Sequence, residues 1–303
     1  MLRYFCRIFA VLLALASFGA KAGSIALIVS ETGGPYGEFS STLSNSLSGT
    51  PWQISATLRA DTIVQPVPKA DLVVTAGVAA LRQAVQAYGG TPILATLIPR
   101  QSYEKILAET GAKGQGRISA IWLDQPATRQ GLFLRHLLPG HKRIGMLVSQ
   151  ETAHLTSTYR QAFTNLGLTL DIKDSDTEQT LLPALNSLLQ RSVVLLALPD
   201  SIIYRRDNIK PILVTSYRVQ KPVVAFSQAF VTAGALGALY STPAQIARQT
   251  AETVTANGTN LPQAGSQSQF AIAINYNVAQ ALGLNVPDEA TIRQAMLAAR
   301  ESR

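Results

Sequence analysis

A chain of 303 residues with 47% hydrophobic and only 15% charged residues has room for two domains and is too apolar to be a disordered protein. Its formal net charge is +8. The sequence shows no cluster of Lys and Arg with interleaved aromatic residues, so it predicts no nucleic-acid partner.

The first 22 residues have the pattern of a secretory signal peptide. Arg3 and Arg7 precede an apolar run from residue 8 to 16, and Ala20-Lys21-Ala22 is a small-x-small cleavage pattern. The run is too short to span a bilayer, although an uncleaved anchor is the alternative. Cleavage predicts a mature chain that begins at Gly23 and lies in the periplasm.

Removing this leader changes the charge and the cysteine content. The leader holds three of the 26 basic residues and no acidic residue, so 23 basic and 18 acidic residues remain, a net charge of +5. The one cysteine, Cys6, lies in the leader. A mature chain without cysteine has no disulfide, no thiolate metal site and no cysteine nucleophile, and it is large enough to fold without a disulfide.

Short apolar strands alternate with helices in the first third of the chain. The predicted order is strand 25–29, helix 36–47, strand 72–75, helix 78–88, strand 93–96 and a helix from about residue 101. Continuously apolar strands are typical of a parallel sheet covered on both faces.

The pattern restarts after Trp122. It predicts helix 127–138, strand 144–149, helix 154–166, strand 169–172, helix 180–190, strand 193–198, helix 208–219 and strand 223–226. The chain therefore has two βα runs of similar size without a sequence repeat between them.

A neutral run follows Lys221 and contains no charged residue before Arg248. Pro222, Gly234, Gly237 and Pro243 interrupt it, so no apolar stretch of about 20 residues survives and a membrane span is not predicted. We predict a strand, a polar loop, a short helix at 229–233, a strand at 236–240 and a helix from Pro243 with Thr242 as its cap.

Three segments resemble the periplasmic substrate-binding proteins of ABC transporters. They are LFLRHLLPGHKRIGMLVS, KPVVAFSQAFVTAGALGALYSTPAQIARQTAETV and FAIAINYNVAQALGLNVP; ADLVVTAGVAALRQAV is a looser match. The stretch TLIPRQS departs from the family's Asp-Pro after the third strand, so the family's ligands do not transfer to this chain.

The resemblance implies an α/β fold of two doubly wound parallel-sheet lobes of the type I periplasmic binding protein kind, joined by three hinge crossings. The expected crossings lie at 123–125, 228–234 and 274–277. The expected domains are a signal peptide (1–22), lobe 1 (23–124 plus 235–273) and lobe 2 (125–234 plus 274–303).

Ligands of open α/β sheets bind outside the carboxyl ends of the strands. Loops at those ends supply most of the predicted ligand-binding residues: Ser30, Glu31, Thr75, Gly77, Thr96, Asp200, Ser201, Ser227 and Gln228. Tyr36, which follows the first loop, is added as a stacking residue for a flat ligand. Asp200 matches an Asp of the family's P-x-D-N loop. We expect Asp200 and Ser227 to contact the ligand, and the Asp200 carboxylate to bind an amino group or a hydroxyl of the ligand.

Each of these residues also has an ordinary structural interpretation. Asp200 and Thr75 could instead cap helices. Ser227 and Gln228 could instead form hydrogen bonds with backbone groups of the hinge. Glu31 is otherwise a solvated loop charge, and Tyr36 an ordinary packing residue. Tyr204, Arg205 and Arg206 follow Asp200. They could bind a ligand carboxylate, or the arginines could be solvated or face a transporter.

The sequence favours binding over catalysis. Its three histidines lack a metal-ligand spacing, and no GxSxG, P-loop or HExxH motif is present. We expect no cofactor and no metal, and a monomer that captures a small polar, amino-acid-like ligand for an ABC transporter permease. The alternative is a periplasmic sensor that signals to a membrane kinase or cyclase, since ligand-biased closure serves both partners.

Overall fold

The computed structural model describes residues 22–112 and 117–301, so the predicted leader lies outside the described residues apart from Ala22. The strands are β1 (Gly23–Val29), β2 (Trp52–Arg59), β3 (Leu72–Ala76), β4 (Ile93–Ile98), β5 (Ile118–Trp122), β6 (Arg143–Val148), β7 (Thr169–Asp174), β8 (Val194–Leu196), β9 (Val223–Ala225), β10 (Gly237–Tyr240), β11 (Gly265–Ser266) and β12 (Ala271–Ile274). The α-helices are α1 (Gly34–Leu47), α2 (Val78–Ala87), α3 (Arg100–Glu109), α4 (Ala127–Leu137), α5 (Thr156–Thr164), α6 (Glu178–Leu189), α7 (Arg206–Arg218), α8 (Gln228–Thr232), α9 (Pro243–Asn257), α10 (Tyr276–Ala281) and α11 (Glu289–Glu301).

Lobe 1 is built on a six-stranded sheet in the order β11-β5-β4-β3-β1-β2, with all neighbouring pairs parallel. Its central strands are buried at every position, as in β3 and β4, because helices cover both faces. Helix α9 returns from the far end of the chain and shares an apolar core with α1. The fold of lobe 1 therefore needs a segment more than 100 residues downstream.

Lobe 2 repeats this plan with the sheet order β12-β10-β9-β8-β6-β7. The strands run parallel except for β12, which pairs antiparallel with β10. One face packs on α4, α5 and α11, and the other on α6 and α7. The predicted α/β fold of two doubly wound lobes is thus confirmed.

Strand β2 was missed by the sequence analysis, which made no assignment between residues 48 and 71. Its exposure alternates residue by residue, because it is the edge strand of lobe 1 and only one of its faces meets the core. An edge strand of alternating Gln, Ser and Thr lacks the continuous apolar run that identified the central strands.

Two of the three expected crossings are in the wrong place. β10 pairs with β9 and with β12, so it belongs to lobe 2, and the chain leaves that lobe between Tyr240 and Pro243 instead of at 228–234. It returns between Ser266 and Ala271 instead of at 274–277. Residues 235–241 and 271–273 therefore lie in lobe 2. The apolar run GALGALY carries no signal for the sheet it joins, since both sheets bury such strands.

The first crossing lies between Trp122, the last residue of β5, and Ala127, the first residue of α4. All three crossing segments meet in one buried hydrogen-bond network. Gln125 Nε2 donates to Ser241 Oγ (2.9 Å), and that hydroxyl donates to the Gln269 carbonyl oxygen (2.6 Å). Arg129 Nη1 donates to Gln125 Oε1 (2.7 Å) and to the Gln267 carbonyl oxygen (3.0 Å). The network fixes the three segments beside one another at the hinge.

Among the described residues, no helix combines the length and apolar character needed to cross a bilayer.

Candidate functional site

A pocket of about 660 Å³ lies between the two lobes. Lobe 1 lines it from α2 and α3, and lobe 2 from the loops that follow β6 and β8. The lining residues are Val78, Arg82, Gln101, Ser102, Glu104, Lys105, Ile106, Gln150, Glu151, His154 and Ser201. The helices and loops of this lining all follow carboxyl ends of parallel strands, which is where open α/β sheets bind ligands.

Gln101 connects the lobes across this pocket. Its Nε2 donates to the carbonyl oxygen of Pro199 in the loop after β8. Its Oε1 is buried and has no hydrogen-bond partner among the described residues. Since a buried amide oxygen without a donor is costly, Gln101 offers an unused acceptor at the lobe interface.

Glu151 is held at the pocket by Ser201. The Ser201 hydroxyl lies 2.9 Å from Glu151 Oε1 and 2.8 Å from Oε2, and the Ser201 backbone N–H donates to Oε2 at 3.0 Å. Ser201, a predicted ligand-binding residue, therefore lines the pocket and also orients a carboxylate that the sequence analysis overlooked. Glu151 is half-buried, so its carboxylate can contact a molecule bound in the pocket.

Asp200 is used by the protein itself. The side chain is only 4% exposed. Its Oδ2 accepts hydrogen bonds from the Ser149 hydroxyl (2.7 Å), the Thr152 hydroxyl (2.7 Å) and the Ser149 N–H (3.3 Å), and its Oδ1 accepts from the N–H groups of residues 202 (3.0 Å) and 203 (2.9 Å). Five donors fill the lone-pair sites of a carboxylate. The geometry favours the structural interpretation of Asp200, which ties the loops after β6 and β8 together.

Ser30, Tyr36 and Gly77 form a second cluster, at the carboxyl ends of β1 and β3. The Ser30 hydroxyl accepts a hydrogen bond from the Ala80 N–H (3.1 Å) in the first turn of α2. Gly77 has a φ of +99°, and a Cβ there would come within 2.9 Å of the Tyr36 ring. Burial and the neighbouring Glu31 carboxylate raise the pKa of Tyr36, so its hydroxyl stays protonated as a donor. Glu31 itself is exposed.

Thr75 and Thr96 lie deeper, inside the sheet of lobe 1. Both are fully buried, and the Thr96 hydroxyl donates to the Thr75 carbonyl oxygen (2.7 Å). The Thr75 hydroxyl has no partner among the described residues. Thr96 thus serves the contact between neighbouring strands.

Ser227 and Gln228 lie at the start of α8 in lobe 2. Ser227 caps the helix by accepting from the Phe230 N–H (3.3 Å). Gln228 is exposed, and its Oε1 accepts from the Tyr240 hydroxyl (3.0 Å). Both residues have structural partners, which leaves a ligand contact by either one a prediction.

The residues after Ser201 diverge in their placement. Tyr204 is buried among Phe226 and Phe230 with ring centroids 6.0 Å away in each case, and burial together with Asp200 raises its pKa strongly. Arg205 and Arg206 are exposed at the start of α7 and do not line the interlobe pocket.

Asp124 is a titratable group at the hinge. It accepts a hydrogen bond from the Arg100 N–H (2.7 Å). Burial, together with the nearby Asp124 carboxylate, raises the pKa of the Tyr159 hydroxyl in lobe 2. Burial raises the pKa of Asp124 itself to about 6, against the lowering effect of the Arg100 N–H. The sequence analysis placed this residue in a crossing without a role.

Most pocket residues were missed by the sequence analysis. Of the ten predicted residues, Ser201 lines the pocket in the described part of the chain, and the others lie in the nearby loops or in the sheets. The rule about carboxyl ends of strands also covers the polar loop after β6, where Gln150 and Glu151 lie. Applying it to that loop would have found them.

Among residues 22–112 and 117–301, no group of three or more His, Cys, Asp and Glu side chains is placed to hold a metal ion.

Comparison with known proteins gives a consistent picture of the fold. No protein-family model matches the chain, and no curated protein matches it. A substrate-binding protein with adhesive properties from Clostridium difficile, in its ligand-free open form, is 17% identical with a TM-score of 0.63, covering 88% of this chain and 96% of that one.

Two further solved structures are similar over most of the chain. A conserved domain protein from Vibrio cholerae is 19% identical with a TM-score of 0.60, covering 92% of this chain and 98% of that one. A periplasmic ribose ABC transporter protein from Conexibacter woesei is 12% identical with a TM-score of 0.53, covering 88% and 97%. The two lobes, the sheet orders and these matches together show that the chain has the type I periplasmic binding protein fold.

Proposed function

We propose that this chain is an exported solute-binding protein that captures a small polar ligand between its lobes and delivers it to an ABC transporter permease. The observation that carries the proposal is the interlobe pocket, which draws its lining from both lobes at the carboxyl ends of their strands. The similar structures of a substrate-binding protein and of a periplasmic ribose ABC transporter protein support the role. Export to the periplasm rests on the predicted leader.

The charges of the pocket favour a ligand that carries both signs. Glu151 supplies a carboxylate held by Ser201, while Arg82 and Lys105 supply cations. Arg82 also forms an ion pair with Glu109, with 2.7 Å between Nη1 and Oε2, but this pair is exposed and therefore weak. An amino-acid-like zwitterion finds partners for both of its groups here, and Gln101 Oε1 offers a further acceptor.

Ligand capture by a two-lobed protein requires that the ligand bind the closed form better than the open form. The described contacts supply the means: the Gln101 bridge joins the lobes at the pocket, and the network around Arg129 keeps the crossings together at the hinge. A ligand that contacts residues of both lobes stabilises the closed form and not the open form. This is binding without chemistry, and we propose no catalytic role for any residue.

Four of the remaining predicted residues are proposed as an inner part of the same site. Ser30, Tyr36 and Gly77 form one wall at the carboxyl ends of β1 and β3, and Ser227 lies at the equivalent end of β9 in lobe 2. A ligand longer than the pocket would reach them as the lobes close.

Native mass spectrometry of protein purified from the periplasm without refolding tests the proposal. We expect a bound small molecule on the native chain and a clearly lower occupancy on Glu151→Gln, because a charge-assisted hydrogen bond contributes about 1.5–3 kcal/mol to binding. Glu252→Gln, an exposed change on α9, is the matched control and should keep the ligand. Equal occupancy in both variants would reject Glu151 as a ligand contact, and a covalently altered product would reject the binding role.

A further inference from the structure

One segment of lobe 2 carries an unusual share of the positive charge. Residues 205–221 contain Arg205, Arg206, Lys210, Arg218 and Lys221 against the single acid Asp207, a net charge of +4 in a chain whose formal net charge is +8. Arg205 and Asp207 form an exposed pair at 3.5 Å. That pair is the one ion pair of the described residues that involves this segment. Its other four cations form no ion pair with the described residues.

Helix α7 arranges these side chains on one face. With 3.6 residues per turn, Arg206, Lys210, Val214 and Tyr217 fall within an arc of about 80°. Val214 is 42% exposed and Tyr217 is 50% exposed. The opposite face holds the buried residues of the helix, Asn208, Ile212 and Ser216. Arg218 lies about 40° beyond this arc, and the exposed acid Asp207, which pairs with Arg205, lies between Val214 and Arg218. We call the exposed set Arg206, Lys210, Val214, Tyr217 and Arg218 the basic face of lobe 2.

Exposed apolar side chains also concentrate here. Of the eight large hydrophobic side chains that are exposed in the described part of the chain, Val214, Tyr217 and Val219 belong to this segment, and Leu182 belongs to the adjacent helix α6. Single exposed apolar residues are ordinary, but four on one pair of helices mark a surface with a function. The basic and the apolar side chains thus share one side of the lobe.

We propose that the basic face of lobe 2 binds the surface of a membrane rich in anionic phospholipids. Lys and Arg are attracted to lipid phosphates, while a tyrosine ring flanked by aliphatic side chains suits the headgroup region. The 13 residues of α7, with Pro211 inside the helix, span about 20 Å. The basic side chains at the two ends of the helix, Arg206 and Arg218, can therefore meet separate lipid phosphates.

The face is separate from the interlobe pocket. None of its five residues lines that pocket, so binding at the membrane leaves the ligand-contacting groups free. The sequence analysis excluded a basic and aromatic cluster because these residues are spaced over the helix; only the helical geometry brings them together. The inference also stands without the proposed transport role, since it rests on other residues.

Sedimentation with lipid vesicles tests the inference. Vesicles of phosphatidylglycerol and phosphatidylcholine mixed equally should bind the native protein at low ionic strength and release it as salt is added, whereas pure phosphatidylcholine should bind it weakly. Arg206→Glu with Lys210→Glu should lower partitioning onto the anionic vesicles about tenfold or more. Tyr217→Ser should lower it severalfold with the charge unchanged.

The control is Lys69→Glu with Arg248→Glu on lobe 1, which changes the net charge by the same amount at two exposed sites. Thermal unfolding confirms that each variant is folded, and Arg206→Gln with Lys210→Gln replaces any double variant that is not. Equal loss in the control, unchanged binding in the basic-face variants, or no binding of the native protein to anionic vesicles would overturn the inference. Binding only to native membranes whose proteins are intact would show a protein partner instead and would overturn it too.

Discussion

Asp200 and Ser201 are neighbours in one loop, yet the structure gives them opposite tasks. Asp200 points into lobe 2, where five donors surround its carboxylate. Ser201 is exposed and holds Glu151 at the edge of the interlobe pocket. One loop therefore contains one residue that holds lobe 2 together and one that lines the interlobe pocket, and we call Asp200 the base of the loop and Ser201 its rim. An acidic residue at the end of a parallel strand identifies a loop near the ligand-binding edge of the sheet. Its hydrogen-bond partners determine whether the residue holds the lobe together or lines the pocket.

The largest expected effect is on the stability of the base. Asp200→Ala removes the acceptor of the Ser149 and Thr152 hydroxyls and of the N–H groups of residues 202 and 203, while the Ser149 N–H keeps the Thr152 hydroxyl as an acceptor at 3.2 Å. We expect the free energy of unfolding to fall by roughly 2–4 kcal/mol, measured by urea denaturation. Asp207→Ala, an exposed acid in the following helix, should change it by less than about 0.5 kcal/mol.

The structural role of Asp200 is contradicted if Asp200→Ala has the same free energy of unfolding as the native protein. It is also contradicted if the folded variant loses its ligand while Glu151→Gln retains it. The second outcome would make Asp200 a ligand contact, as the sequence analysis expected.

A smaller effect is expected at the rim. Ser201→Ala removes the hydroxyl donor that fixes Glu151 but keeps the backbone N–H donor at 3.0 Å. Calorimetric titration of the ligand found by mass spectrometry should show an affinity reduced about two- to fivefold, with nearly unchanged stability. Ser44→Ala, an exposed change on α1, is the control. A large loss of stability in Ser201→Ala would instead assign the rim to the scaffold.

The hinge adds a third carboxylate, whose effect appears as a pH slope. The pKa of Asp124 is about 6 in the folded protein, compared with about 4 in an unfolded chain. The folded form binds the proton more tightly, so this residue makes stability fall as pH rises from about 4 to about 6 and adds no slope above that range. Unfolding of Asp124→Asn measured over this range should lack that fall. A wild-type curve with the same slope as the variant would contradict the raised pKa.

Much of the fold follows from the sequence. The continuous apolar runs that became β1, β3, β4, β6 and β8 identify buried parallel strands, because strands covered by helices on both faces are apolar at consecutive positions. The polar edge strand β2 and the two-residue strand β11 carry no such signal. The sheet to which β10 belongs depends on partners distant in sequence, which a local pattern does not contain.

Less of the candidate site was predictable. The rule that ligands bind beyond the carboxyl ends of strands pointed to the loop of Asp200 and Ser201, and Ser201 lies at the pocket. The rule does not say which side chain in a loop turns inward. Asp200 turns inward because Ser149 and Thr152, some 50 residues earlier, supply its donors, and Gln101 reaches the pocket only because α3 of lobe 1 faces the loop after β8.

The last strands of the chain complete both sheets: β11 closes the edge of lobe 1 beside β5, and β12 closes the edge of lobe 2 beside β10. Helix α9, which covers α1, also comes from this late segment. Neither lobe has all of its partners until about residue 274 has been synthesised, so a growing chain holds two unfinished sheets for most of its elongation. Contacts between residues so far apart form slowly. We expect a chain with this connectivity to complete its two lobes only late in synthesis, which would suit the export that we propose.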